Sequence, residues 1–230
     1  MMNEPDPAAD ASGHRARLRK RLAEQGPEAL QDHELVEYLL ALAIPRRDTK
    51  PIARRLLAEF GGFGRLMAAD AATLARIGGI GEGAIAALKI AEASALRLLR
   101  SKVVEQPVLA SWQALLDYLH ADMAHRPIER VRALHLSGRN MLIRDELVAE
   151  GTIDQAAVHV REIIRRAIDL SSAAIILVHN HPGGDPTPSR QDIQLTREVV
   201  EAGRPLGITV HDHVIIGANG HKSMRALGLI

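Results

Sequence analysis

The sequence predicts a mixed α/β domain preceded by a small all-α domain, and three observations carry that expectation. Apolar residues recur at helical spacing from His14 to about Lys102. After residue 105 the pattern changes to short alternating or continuous apolar runs. Those runs then alternate with further helical stretches, as in a sheet covered by helices. A length of 230 residues suits one large domain or two small ones, and 47% hydrophobic with 25% charged residues is ordinary for a folded chain.

Residues 1–13, MMNEPDPAADASG, lack apolar periodicity and read as a disordered tail. Residues 14–102 read as a helical domain. Its first clear helix carries Leu30, Leu35, Tyr38, Leu39 and Leu42, with Asp32 as the expected N-cap. Pro45–Asp48 interrupts it. A second helix runs through Ile52, Leu56, Leu57 and Phe60, and Gly61-Gly62 stops it. A third, Ala72–Ile77, leads through Gly78-Gly79-Ile80-Gly81 into a fourth, Glu82–Leu99.

Residues 103–110, VVEQPVLA, read as a linker, and 111–230 as the α/β domain. A helix from Ser111 to about Met123 opens it. Arg130–Leu136 and Met141–Leu147 are strand-like, joined by the turn signal Ser137-Gly138-Arg139-Asn140. Glu162–Ser171 is a helix, Ala173–Val178 a buried strand, Pro188–Ala202 a helix and Ile208–Ile216 a strand, with one more strand available after Gly217. The resulting mixed sheet is expected to carry its chemistry-bearing loop at one edge.

Composition removes several function classes. With no cysteine there is no disulfide framework, thiolate metal site or cysteine nucleophile. No apolar run reaches the ~18–20 residues of a membrane helix, and the first residues are acidic rather than signal-like. A cytoplasmic protein without a membrane partner is expected. One Trp, two Tyr and two Phe leave little for base stacking, and a net charge of +1 does not by itself point to nucleic acid.

Chemistry concentrates in Ile176–Asp192, ILVHNHPGGDPTPSRQD. An apolar strand delivers His179 and His181, whose spacing in extended backbone puts both imidazoles on one side. A Gly/Pro-rich loop follows, and then Ser189 and Asp192 at a helix start. Two imidazoles and a carboxylate are the three-ligand set of catalytic zinc, with a fourth position open. Taken singly, each of these residues has an ordinary structural reading; their joint placement at a strand-to-helix loop favours a metal site. His211 and His213 form another His-x-His pair, read as core or supporting residues.

The pattern His179-x-His181-Pro182-x6-Ser189-x2-Asp192 resembles the JAMM signature of MPN-domain metallopeptidases. HNHPGGDPTPSRQD resembles the RadC family in particular, as do Gly151-Thr152-Ile153, Asp212–Gly217 (DHVIIG) and the amino-terminal ELVEYLLALAI, ARRLLAEFGG and LARIGGIGEGAIAALKIAEA. The likeness covers residues 14 to 230. It implies an MPN/JAMM-like mixed sheet with cytidine-deaminase-like layering, and one zinc ion per chain on His179, His181 and Asp192. It also implies that Ser189 hydrogen-bonds the reacting water or the oxyanion. His211, where an apolar residue is usual, and Ala226, in place of a glutamate, depart from the family pattern.

Such enzymes use an upstream glutamate as general base. Glu129, Glu146, Glu150 and Glu162 are the candidates, and Glu129, just before the first strand, matches the family position best. Ile77–Ala84, IGGIGEGA, resembles a helix-hairpin-helix, in which Gly79, Gly81 and Gly83 would let backbone approach a phosphate. The leading expectation is a zinc hydrolase of peptide or isopeptide bonds, with a protein or peptide substrate. The alternatives are a DNA-associated accessory protein that binds through the hairpin and, less favoured, a metal-dependent nuclease.

Overall fold

The computed structural model describes residues 7–45, 47–151 and 158–230. They form two compact units divided between Ala95 and Leu96.

The first unit is helical among its described residues: α1 (Pro7–Gln25), α2 (Asp32–Ala43), α3 (Lys50–Phe60), α4 (Phe63–Ala68), α5 (Ala71–Ala75) and the start of α6 (Glu82–Val104). The expected tail is therefore helical from Pro7 on, and residues 1–6 lie outside the described residues. Helix α1 begins at Pro7, since proline is tolerated in a first turn and the alanines that follow are strong helix formers. The N-cap of α2 is Gln31 rather than Asp32; Gln31 and Glu34 close a reciprocal capping box. Gly61, at φ 72°, ends α3 as expected. Val36, Leu40, Ile52, Leu56, Leu66, Leu74 and Leu88 make the core, and Ile77 and Ile80 anchor the glycine turn between α5 and α6 into it.

The boundary lies elsewhere than the sequence suggested. Helix α6 runs 23 residues without a break, through the division and past residue 102. Its apolar residues change partners without any local stop: Leu88 belongs to the first core, Val103 to the second. The expected linker is not a free connection either, because Val103 and Val108 are fully buried in the second unit's core.

That unit continues with α7 (Trp112–Met123), β1 (Arg130–Leu136), β2 (Leu142–Glu150), α8 (Val160–Asp169), β3 (Ala174–Asn180), α9 (Arg190–Gly203), β4 (Thr209–Gly217) and β5 (Gly220–Ser223). The five strands form one mixed sheet in the order β2-β1-β3-β4-β5, with β3 parallel to β4 and the other pairs antiparallel. Strand β3 is buried along its whole length, which is why it takes the centre. The loop that follows it thus leaves the middle of the sheet, not an edge. Ala174, Ile176 and Val178 face α7, whereas Ile175 and Leu177 face α8 and α9. By the same alternation His179 faces the α9 side.

Among the described residues no helix is long and apolar enough to cross a membrane.

Candidate metal centre

Three elements bring the site together. Strand β3 supplies His179, the loop after it His181, and the first turn of α9 supplies Asp192. Ser189 is the N-cap of α9; its hydroxyl accepts the Asp192 N–H at 3.1 Å, and Asp192 Oδ2 accepts the Ser189 N–H at 2.7 Å. This box fixes the carboxylate. One potential ligand atom from each of His179, His181 and Asp192 lies within 4.8 Å of the others, so the three could hold a metal ion.

The histidine tautomers follow from their partners. His181 Nδ1 lies 2.8 Å from the Asp185 carbonyl oxygen, which can only accept, so Nδ1 carries a proton. Its Nε2 is 3.6 Å from Asp192 Oδ2. A second chain starts at His179, whose Nδ1 is 3.1 Å from His213 Nε2. His213 Nδ1 is 2.6 Å from Thr196 Oγ1, which donates to the Asp192 carbonyl at 2.5 Å. The hydroxyl proton being spent on that carbonyl, Thr196 accepts from His213, His213 accepts from His179, and His179 keeps its proton on Nδ1. In their neutral forms both histidines thus turn an Nε2 lone pair toward Asp192.

His179 Nε2 and Asp192 Oδ1 face each other at 3.4 Å, both buried and neither with a hydrogen-bond partner. Two buried acceptors opposed in this way each carry a desolvation cost on the order of 1–3 kcal/mol. A cation between them removes it. The donor set of two imidazole nitrogens and a carboxylate oxygen fits a zinc-like divalent ion.

Electrostatics favour the neutral form of the two inner imidazoles and not of the third. Burial pushes His179 down to about 4 and His213 down to about 3. Burial alone would raise Asp192, but its hydrogen bonds with His181 and Ser189 outweigh that and hold it well below the usual carboxylate range. His181 is raised, chiefly by Asp192.

Glu129 sits immediately before β1. Val131 pairs with His179 at the end of the β1–β3 ladder, and Glu129 lies just beyond it, two residues from Val131 as His181 is two residues from His179. Its charge adds to those that raise His181. The other candidate glutamates are held elsewhere. Glu146 binds Arg166, Glu150 binds Arg130, and Glu162 binds Arg161 and Arg165. Glu146 and Glu162 line a separate cavity of about 370 Å³ over β1, β2 and α8, together with His135, Arg165 and Arg166.

Sequence reasoning missed one support, Thr196, which gave no signal, and read His213 as core or supporting without distinguishing it from His211. A β-bulge in β4 separates that pair: Ile175 pairs with Val210 and Ile176 with Asp212, so His211 is the extra residue and turns to Asn140 at 2.7 Å. Gly217, quoted only as part of DHVIIG, braces the loop. A Cβ there would lie 2.3 Å from the Gly184 carbonyl oxygen. Thr152 and Ile153, the rest of the Gly151-Thr152-Ile153 match, lie outside the described residues.

In the first unit, the hairpin glycines divide. Gly79 has φ +92° and stands beside the guanidinium groups of Arg55 and Arg47. A Cβ on Gly81 would meet nothing within 4 Å, and one on Gly83 would touch Ala43 at 3.7 Å.

Comparison with known proteins agrees with this architecture. Residues 109–229 match the family described as "RadC-like JAB domain", and residues 12–86 match "UPF0758 N-terminal". A "UPF0758 protein" of Rhodobacter capsulatus is 52% identical over 213 residues, covering 93% of this chain and all of the relative. One from Ruegeria pomeroyi is 49% identical over 217 residues, covering 94% of this chain and 97% of the relative.

Proposed function

The chain belongs to the RadC-like JAB family, and from that premise we propose that it is a zinc-dependent hydrolase of amide bonds, peptide or isopeptide, acting on a protein or peptide in the cytoplasm. The observation that carries the reading is the buried, unpartnered pair His179 Nε2 and Asp192 Oδ1, with His181 Nε2 turned to the same carboxylate. One zinc ion per chain would be held by His179, His181 and Asp192. When bound, zinc supplies a Lewis acid and makes hydroxide available near neutral pH.

The chain's own residues supply the rest. The Glu129 carboxylate takes the proton of the attacking water and returns it to the leaving amine nitrogen. The Ser189 hydroxyl, already oriented by its cap, donates to the oxygen of the scissile carbonyl as charge develops there. The apolar sheet behind His179 keeps bulk water from the inner side of the site.

The test is zinc-loaded protein on mixed peptides and isopeptide-linked conjugates, with new amines and termini read by mass spectrometry. Glu129→Gln keeps size and one acceptor oxygen but cannot take a proton. It should retain zinc and fold normally, yet lose hydrolysis by ~10²–10⁴-fold. Zinc-loaded wild type that cleaves neither bond class defeats the reading. Loss of activity with Glu162→Gln but not Glu129→Gln would reassign the base and leave the metal centre standing.

A second reading, a DNA contact through the hairpin, is favoured by one observation: Arg47 and Arg55 stand beside Gly79, where a phosphate would approach the turn.

A further inference from the structure

Between the two histidines lies Asn180, a polar residue that the metal-site reading leaves unused. By strand alternation its side chain leaves β3 on the face opposite His179, and it is fully buried. Both of its polar atoms are spent on one neighbouring segment. Oδ1 accepts the Arg130 N–H at 2.8 Å, and Nδ2 donates to the Ile128 carbonyl at 3.2 Å. Reversing the amide would set donor against donor and acceptor against acceptor, so the orientation is fixed by the partners.

The residue between those two backbone groups is Glu129. The β1–β3 ladder ends with Val131 opposite His179, so nothing in the regular sheet pairing holds the chain at 129. Asn180 extends the ladder with a side chain and grips the backbone on both sides of the glutamate. From the other flank, the Glu129 carbonyl accepts the Gly151 N–H at 2.9 Å. Gly151 makes that bond with φ 132°, a conformation that L side chains rarely adopt. Three hydrogen bonds from two directions thus fix the backbone around a single carboxylate residue just beyond a strand end.

We propose that Asn180 is a positioning residue: by clamping Ile128 and Arg130 it holds the Glu129 carboxylate against the His179–His181–Asp192 cluster. The inference rests on the reading of Glu129 as the proton acceptor. It assigns the middle position of His-Asn-His to the base rather than to the metal. A side chain there must both donate and accept, which aspartate, leucine or alanine cannot do. A merely structural staple would alter stability alone. A positioning role must also alter whatever Glu129 controls at the metal.

The experiment uses the full-length protein loaded with cobalt(II), whose visible absorption is followed against pH across the neutral range. A carboxylate beside the metal influences ionisation there, so Glu129→Gln should displace the midpoint by about half a pH unit or more. Asn180→Ala should displace it in the same direction. The double variant Glu129→Gln/Asn180→Ala should go no further than Glu129→Gln alone, as coupled residues do. Amide exchange of residues 128–130 should accelerate in Asn180→Ala. Asn180→Ser, which keeps one hydrogen bond, replaces it if the alanine variant does not fold.

An Asn180 variant with the wild-type midpoint, beside a displaced Glu129→Gln, overturns the proposal and leaves the general-base reading intact. Additive displacements overturn it in the same way. If Glu129→Gln itself moves nothing, the general-base reading fails and the proposal falls with it.

Discussion

Two short glycine-rich connections, one in each unit, invite the same interpretation and differ in one physical respect. The turn at Gly78–Gly81 leads into α6, and the loop at Pro182–Pro188 leads to the start of α9. In the first, several polar groups are already used. Arg55 donates to the Gly78 carbonyl, and Lys89 donates to the Met67 and Ala69 carbonyls at 2.8 Å each. In the second, two buried acceptors face each other with no donor between them. A glycine-rich loop at a helix start is a common piece of chain geometry. Acceptors that are buried and unspent point to a ligand, because the fold bears a cost that only a ligand relieves.

The widest expected separation between the two loops is in metal binding. His179→Ala and Asp192→Ala should each lower zinc affinity by more than the ~10–100-fold typical of losing an outer partner. With zinc at about 1,000 times its dissociation constant, the wild type should gain roughly 4 kcal/mol of stability, and these variants little of it. Gly81→Ala should leave the gain unchanged. Calorimetric titration and thermal melts with and without chelator measure both effects; full zinc occupancy in both ligand variants would remove the distinction.

The next effect tests whether the buried histidine chain belongs to the metal loop. His213→Phe and Thr196→Val remove the acceptor for His179 Nδ1–H or the hydroxyl beyond it. Zinc affinity should fall by ~10–100-fold without loss of a ligand atom. Nitrogen NMR of the imidazoles should show His179 losing its fixed Nδ1–H tautomer. Unchanged affinity in both variants would make this chain packing only.

Acid should separate the units as well. His179 and His213 are held by burial at about 4 and about 3, while an unfolded histidine takes up its proton near 6.5. Their folded pKa values are depressed, so their contribution to metal-free stability is full above the unfolded value. It is lost as pH falls from ~6.5 through about 4 and about 3. In the first unit, Glu34 is lowered to about 2, chiefly by hydrogen bonds from Arg21. That contribution is present above the ordinary glutamate value of 4.5 and is lost only as pH falls from there through about 2. Hydrogen exchange followed separately in each unit should show the second loosening first. Simultaneous loosening would mean that these histidines do not govern the second unit's acid response.

The contrast also explains what was legible in the sequence. Strand β3 could be read because an unbroken apolar run needs burial on both faces, and the ligand trio because its spacing is local. Four features were not legible for stated reasons. The unit boundary hides inside α6, whose apolar positions continue while their partners change. The His213–Thr196 chain depends on a bulge at His211 that period-two reasoning does not foresee. The grip of Asn180 on residues 128 and 130 spans about fifty positions and leaves no periodic trace. Helix α4, six residues between Gly62 and Ala69, is too short to announce itself by periodicity.

The smallest expected effect concerns the hairpin, and it decides whether that loop is more than a connector. Gly79 is a poor site to probe, because its φ of +92° and a Cβ only 3.1 Å from Arg55 Nη2 would confound binding with strain. For an L residue such a conformation costs roughly 1–2 kcal/mol. Gly81 is the cleaner probe, since a Cβ there meets nothing within 4 Å. Gly81→Ala should keep the wild-type melting temperature. If the turn contacts phosphate, it should weaken duplex DNA binding by a few-fold, because the methyl group keeps the backbone from the anion. Arg47→Ala, at the guanidinium beside Gly79, should reduce the slope of log affinity against log salt by about 0.9 for a single lost phosphate contact. Binding should show no sequence preference in either variant. If affinity is indifferent to salt, or both variants bind as the wild type does, the hairpin is a connector and the contrast between the two loops is complete.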